Sequence, residues 1–365
     1  MKNTFGTSVS VTLFGESHGD EIGAVLVGMA PGITVDEAQI AAALARRRPT
    51  ADTGTERREP DRFRVISGVF RGKTTGAPLC IIIQNDNTRH NDYDSWRGFA
   101  RPGHADYTAY MKYHGFEDYR GGGQFSGRMT APLVAVGAVA VHALAAKGIA
   151  IGTHVASVGG VHDRPFEDLA ADIAALPTAP LGMLDNVAAE QARLVIKAAK
   201  EAGDSVGGLL ETAVIGLPAG VGEPFFDSVE SVLSHMLFSI PAVKGVSFGA
   251  GFDFANLRGS RANDAMRMQN GRPVTGTNKN GGVCGGITNG MPLLFRTVVK
   301  PTPSIYKPQK TVNFLTGENA TLQLTGRHDP AVVHRARPVA DAVTALALCD
   351  LLALRYGTDY LGEKA

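Results

Sequence analysis

The stretch Phe14-Gly15-Glu16-Ser17-His18-Gly19 sets a carboxylate, a hydroxyl and an imidazole in succession between two glycines. Glycine permits a tight bend and a close ligand approach that a Cβ would block. Imidazole exchanges protons near neutral pH, so His18 is a candidate acid or base. Other turns are loaded in the same manner. They are Arg101-Pro102-Gly103-His104-Ala105-Asp106, Arg120-Gly121-Gly122-Gly123-Gln124-Phe125-Ser126-Gly127-Arg128, Lys300-Pro301-Thr302-Pro303-Ser304 and Gly326-Arg327-His328-Asp329-Pro330. Arg46-Arg47-Arg48 stands before Pro49, and Arg57, Arg58, Arg62 and Arg64 follow within a few residues. Of 36 basic residues, 24 are Arg and 12 are Lys. Guanidinium grips carboxylate or phosphate in a fixed bidentate geometry. The pattern implies a small polyanionic ligand. A cation or imidazolium at a departing phosphate would meet its developing charge.

Rival chemistries fit less well. Gly15-Glu16-Ser17-His18-Gly19 matches the G-x-S-x-G elbow of serine hydrolases, but that elbow needs several strands before it and only 16 residues precede Ser17. His90, His104 and His114 lack a helical i, i+4 pair or a carboxylate cluster, so no metal site is expected. Neither a G-x-G-x-x-G after a strand nor a Walker-type Gly-Lys-Ser/Thr is found. The Gly-rich run at 120–130 opens an apolar helix, where free N–H groups and the helix dipole suit phosphate.

The elements that position these turns follow from periodicity. Val9–Phe14 alternates as a half-buried strand, and Ile22–Val27, Val65–Phe70, Leu79–Ile83, Ile151–Val158 and Gly208–Ile215 are further strands. Thr34 with Glu37 reads as a capping box for a helix ending at Arg48. Helices are expected over 186–202, 228–237 and 340–354, and the apolar run from Met129 to Ala146 reads as a buried helix, with His142 a core histidine. Thr50–Pro60 and Asn85–Gly103 read as polar loops, the first mobile and the second holding the sole Trp96.

Hydrophobic residues make up 44% and charged residues 19% of the 365, enough for a large core. A net charge of +1 excludes a nucleic-acid coat or a membrane-surface protein, both of which need a sustained basic field. Three widely spaced cysteines, 80, 284 and 349, and no signal peptide before the first strand point to the reducing cytoplasm. No linker divides the chain, and chemically loaded turns run from residue 15 to 329. One domain over 1–365 with one composite site is expected.

Taken together, the motifs resemble the chorismate synthase family over nearly the whole chain. They come in that family's order: FGESHG at 14–19, RRRP at 46–49, RREPD at 57–61, RPGHADYT at 101–108, RGGGQFSGRMTA at 120–131, AVKGVSFGAGF at 242–252, GGVCGGITNG at 281–290, KPTPSI at 300–305 and GRHDP at 326–330. The resemblance implies an α+β fold with helices sandwiched between two mainly antiparallel sheets, and a homotetramer. It implies a carbon–oxygen lyase that converts 5-enolpyruvylshikimate 3-phosphate to chorismate by 1,4-anti elimination with reduced FMN. His18 would protonate the leaving phosphate, His104 the reduced flavin, and Asp329 would assist proton removal. Ser17, Arg47, Arg101 and Arg128 would bind substrate. Gln124, Phe125, Ser126, Ala242, Gly285, Lys300, Pro301, Thr302, Pro303, Ser304 and Arg327 would bind FMN. NADPH at this protein or an external flavin reductase are both open as the source of reduced flavin. The chain departs from the family pattern at Phe125, where many members have Ser, at Asp341, where Glu is common, and in 50–56, which lacks a further Arg.

Overall fold

The alternating segment near the N-terminus is strand β2 (Ser10–Gly15), flanked by β1 (Thr4–Phe5) and β3 (Glu21–Val27). With β4 (Phe63–Ser67) and β7 (Leu79–Gln84) they form a sheet in the order β1-β2-β3-β7-β4. The expected 65–70 strand is divided at Gly68, after which β5 (Val69–Phe70) pairs with β6 (Lys73–Thr74). A second sheet has β8 (Ala150–Val158), β9 (Val161–His162), β10 (Gly208–Ile215), β11 (Val243–Phe248) and β16 (Leu293–Val299), ordered β11-β16-β10-β8-β9. Three ribbons complete the strands: β12 (Met266–Gln269) with β13 (Arg272–Thr275), β14 (Val283–Cys284) with β15 (Ile287–Thr288), and β17 (Gln309–Asn313) with β18 (Glu318–Leu322). Every pairing among the described strands is antiparallel.

The helices are α1 (Glu37–Arg47), α2 (Asp106–Tyr113), α3 (Thr130–Ala145), α4 (Leu169–Ala175), α5 (Asn186–Glu201), α6 (Val229–Leu237), α7 (Gly259–Ala262) and α8 (Val333–Tyr356). Helix α1 is capped by Asp36, whose carboxylate accepts from the Ala38 and Gln39 amides, and not by the Thr34–Glu37 box. Thr34 is instead bridged to Lys73. Helix α8 begins at Val333, before Pro338, although a proline inside a helix removes one hydrogen bond. Burial of nearly every residue from Ala336 to Ala353 outweighs that local cost. His142 proves half-buried, with Nδ1 3.3 Å from Gln39 Oε1, and so is not a core residue.

Helix α3 is apolar around most of its surface because most of it is covered. It lies against β3 and β7, against α1 and against α8, while α8 lies against β8 and β10. Residues 127–145 are long and apolar enough to cross a membrane, yet 78% of that window is buried inside the protein. Ile22, Ala24 and Leu26 of β3 and Leu79, Ile81 and Ile83 of β7 are at most 1% exposed and share one core cluster with α3 and α8. Each such Ile or Leu contributes about 1.5–3 kcal/mol relative to exposure. Asp350 of α8 ties in the N-terminus, accepting from the amides of Thr7 (3.0 Å), Ser8 (2.7 Å) and Val9 (2.9 Å). The result is a mixed α+β fold. The computed structural model describes residues 2–49, 54, 60–86, 96–326 and 328–362. Arg57, Arg58, His90, Arg327 and most of the two polar loops lie outside the described residues.

Candidate active site

The turn after β2 is held by three hydrogen bonds to two residues. The Ser17 amide donates to Gly123 O (3.1 Å), and Asn85 Nδ2 donates to Glu16 O (3.0 Å) and Gly19 O (2.8 Å). Ser17 and His18 are 2% and 5% exposed, and Ser17 Oγ lies 3.3 Å from His18 Nδ1. Gly121, at φ +59°, packs its backbone on the imidazole so closely that a Cβ would stand 2.0 Å from His18 Cε1. The glycine run therefore floors the His18 ring. Beside it, Arg120 Nε and Nη2 donate to the two Asp118 oxygens, each at 2.8 Å. Burial would raise the Asp118 pKa, but the Arg120 hydrogen bonds and the nearby His18 hold it below the usual range. Glu16 is pushed up, first by burial and then by Asp118.

A second turn carries His104. Arg101 is clamped by Asp106 at the start of α2, through Nε to Oδ2 (2.9 Å) and Nη2 to Oδ1 (2.6 Å). His104 Nδ1 lies 3.2 Å from Pro102 O, and Nε2 lies 2.6 Å from Ser304 Oγ. Lys300 Nζ donates to Gly103 O at 2.7 Å, so the 101–104 and 300–304 turns are joined twice. Burial, with Arg101 and Lys300 adding positive charge, lowers the His104 pKa to about 4 against the opposing pull of Asp106 and the Pro102 carbonyl. An anion seated among these cations would offset their field and favour the imidazolium.

A third group lies behind the first. Asp61, with a fully buried side chain, pairs with Arg128 Nη1, with Arg47 Nη2 (3.5 Å) and with Arg48 Nε (3.5 Å). Arg128 also donates to Asn85 Oδ1 (3.0 Å) and Gln84 O (2.9 Å). Asp329 pairs with Arg335, whose Nε donates to Arg47 O at 2.8 Å.

One cavity of about 820 Å³ gathers most of the expected site residues. Its walls include His18, Arg101, His104, Gln124, Phe125, Ser126, Ala242, Lys300, Thr302, Pro303 and Ser304. Ser17, Arg47, Arg128, Pro301 and Asp329 stand outside the lining; Ser17 adjoins His18, and both arginines join the Asp61 cluster. Gly285, in the turn between β14 and β15, also lies outside it, and the neighbouring Gly286 backs onto Ser228. No group of three or more His, Cys, Asp or Glu suited to a metal occurs among the described residues.

Sequence reasoning missed Asp61, Asn85, His328 and Arg335. Asp61 and His328 belong to the RREPD and GRHDP motifs, which are their signal in the sequence. His328 lines the cavity, with its ring 5.6 Å from that of Tyr306, and burial and Arg101 lower its pKa. Asn85 and Arg335 carried no local signal.

The family model described as chorismate synthase matches residues 9–353. The chain belongs to the chorismate synthase family. It is 45% identical over 355 residues to the chorismate synthase of Aeropyrum pernix, covering 97% of this chain and 93% of that one. The Chitinophaga pinensis chorismate synthase is 46% identical over 352 residues, covering 96% and 97%. A crystal structure of chorismate synthase superposes with a TM-score of 0.77 at 27% identity, covering 99% of this chain and 95% of that one. Membership makes the protein a chorismate-forming lyase of the shikimate route. Of the three departures from the family pattern, Phe125 is 43% exposed on the cavity wall, its ring 6.2 Å from that of Tyr113. Asp341 is half-buried on α8, where burial raises its pKa against the pull of Arg46, Thr153 and Arg337. The 50–56 segment lies, apart from Gly54, outside the described residues.

Proposed function

We propose that this cavity converts 5-enolpyruvylshikimate 3-phosphate to chorismate and inorganic phosphate by 1,4-anti elimination. The observation that carries this reading is the convergence of two histidines, His18 and His104, with Arg101 and Lys300 on one cavity. The substrate has two carboxylates and a phosphate, which Arg101 and Lys300 on the cavity wall can meet. His18, buried on its glycine floor, is placed to give a proton to the departing phosphate oxygen. Arg101, held rigid by Asp106, loses little freedom on binding an anion. Arg47 and Arg128 hold the wall behind, and Asp329 with Arg335 orders the segment that leads into α8.

The residues present also fit reduced FMN. Lys300 and the Thr302 hydroxyl suit its phosphate and polar edge, while Phe125, Tyr110 and Phe314 give apolar wall for a planar ring. The flavin, when bound, supplies electron density that assists loss of phosphate and is returned unchanged overall. His104 would hold the proton at the flavin side of the cavity. NADPH reduction at this protein and supply by a separate reductase are separated by an aerobic assay with NADPH as the sole reductant.

The proposal extends to one catalytic unit over 1–365, layered sheet–helix–helix–sheet, acting as a homotetramer in the cytoplasm. Packing of α3 on the first sheet and α8 on the second supports the layering. The exposed Phe225, Phe226 and Phe252 support self-association, which sedimentation would read.

Phosphate release from 5-enolpyruvylshikimate 3-phosphate under anaerobic conditions tests the reading. Turnover with reduced FMN and none with oxidised FMN is expected. Equal turnover without flavin would overturn it.

A further inference from the structure

We propose that Ser304 is a positioning residue for His104, fixing the imidazole as the Nδ1–H tautomer so that the exchangeable second proton sits at Nε2. This rests on the function proposed above, which gives His104 a proton to hold. Pro102 O can only accept, so the Nδ1 that lies 3.2 Å from it carries the hydrogen. Nε2 of the neutral ring is then a lone pair, and the Ser304 hydroxyl donates to it across 2.6 Å. The two residues are 200 apart in sequence, and their turns are braced independently of this bond. Lys300 Nζ reaches Gly103 O, and Gly103, at φ +75°, leaves a bare face against Pro303. Ser205 Oγ donates to Thr302 O at 2.6 Å and steadies the 300–304 turn from outside the cavity.

A donor to the neutral ring disfavours its charged form. The charged groups bearing on His104 are Arg101 and Asp106 of its own turn and Lys300, whose Nζ is bonded to the neighbouring Gly103 carbonyl. When the ring gains its second proton at Nε2, the new N–H donates to Ser304 Oγ and the serine hydrogen turns away. One proton is taken up, one hydrogen bond reverses, and no electrons move.

The test uses the full-length protein with 15N-labelled histidine, in wild type and in Ser304→Ala, Ser304→Thr and His104→Ala. His104 signals are assigned by their loss in His104→Ala. Wild type should show the Nδ1–H tautomer. Ser304→Ala should mix the tautomers, raise the His104 titration midpoint and lower kcat about 10- to 100-fold. Ser304→Thr, which retains the hydroxyl, should restore the tautomer and most of kcat. Unchanged His104 tautomer and titration in Ser304→Ala, with weakened FMN affinity alone, would overturn the assignment and leave Ser304 a cofactor contact. If Ser304→Ala does not fold, Ser304→Cys and Ser304→Thr are compared by the same spectra, and identical His104 titration in both and in wild type would count against it. The ring spectra are read without turnover. A protein inactive on 5-enolpyruvylshikimate 3-phosphate would therefore refute the proposed reaction while leaving the Ser304 effect measurable.

Discussion

Arg128, in the turn leading into α3, and Asp61, just ahead of β4, meet in an ion pair whose side chains are 5% and 0% exposed. Arg47 and Arg48 approach the same carboxylate, so one acid holds three guanidinium groups close to the cavity. Removing the acid takes away the carboxylate that the buried Arg47 and Arg128 side chains share. Asp61→Ala is expected to cost about 3–5 kcal/mol, measured by chemical denaturation. Asp61→Asn, keeping the shape, should unfold at intermediate denaturant. A wild-type midpoint for both would show that the arginines are compensated elsewhere.

Loss of either proposed proton-transfer group should slow the reaction. His18→Ala and His104→Ala are each expected to lower kcat by about 10²–10⁴-fold, read as anaerobic phosphate release. FMN affinity should change less in His18→Ala than in His104→Ala, since His104 shares the Lys300–Ser304 turn. Full activity in both variants would remove their assigned roles.

Gly121 tests the floor beneath His18. An alanine there takes a strained left-handed conformation, at about 1–2 kcal/mol, and drives its Cβ into the imidazole. Gly121→Ala is expected to lower kcat about 100-fold by displacing the ring. Gly148→Ala, at φ +75° where a Cβ meets nothing within 4 Å and outside the cavity lining, is the control. Equal effects in the two variants would refute the specific contact.

A separate buried network on the second sheet sets a pH dependence of stability. His154, 1% exposed, places Nδ1 2.8 Å from Asp163 and Nε2 3.2 Å from Glu211, which also accepts from Arg296. Burial alone would lower the His154 pKa, but the two carboxylates raise it above 6.5. Its contribution is full below about pH 6.5 and fades as pH rises through the raised value. Burial would raise Asp163 and Glu211, yet their hydrogen bonds with His154 lower both, so their contribution fades as acid passes through those values. Wild type should thus lose stability on the alkaline side, and His154→Gln should flatten that fall. Parallel stability–pH curves for the two proteins would sink this account.

Asp350 predicts a stability effect far from the cavity. Asp350→Ala strips acceptors from three amides at residues 7–9 and is expected to cost about 2–4 kcal/mol in thermal or chemical unfolding. Hydrogen exchange of those amides should rise. Their continued protection would show that the bend between β1 and β2 is held without Asp350.

Local pattern carried much of the fold. Strands β2, β3, β7, β8 and β10 and helices α5 and α6 stand within a residue or two of their periodic segments. The start of α8 was hidden because Pro338 is a local stop that only burial overrides. The cap of α1 passed from Thr34 to Asp36 because Thr34 is engaged with the β6 segment. Of the site, the chemically loaded turns were legible, since glycine beside Arg, His or Ser has meaning within a few residues. Asn85, which ties the His18 turn to Arg128, was not, because its partners are 43 to 69 residues away.

By itself the sequence determined the chemistry on offer: which turns carry imidazole, guanidinium and hydroxyl, the apolar helices that must be buried, and the family order of the motifs. Those properties reside in residue type and short spacing. Tertiary structure alone decided which groups meet. It set His104 against Ser304 and turned His18 onto Gly121. It drew Arg47 and Arg128 back onto Asp61 and paired Asp329 with Arg335. The physical reason is that a buried charge or ring nitrogen must find its partner in space. Chain folding brings that partner from any distance along the sequence.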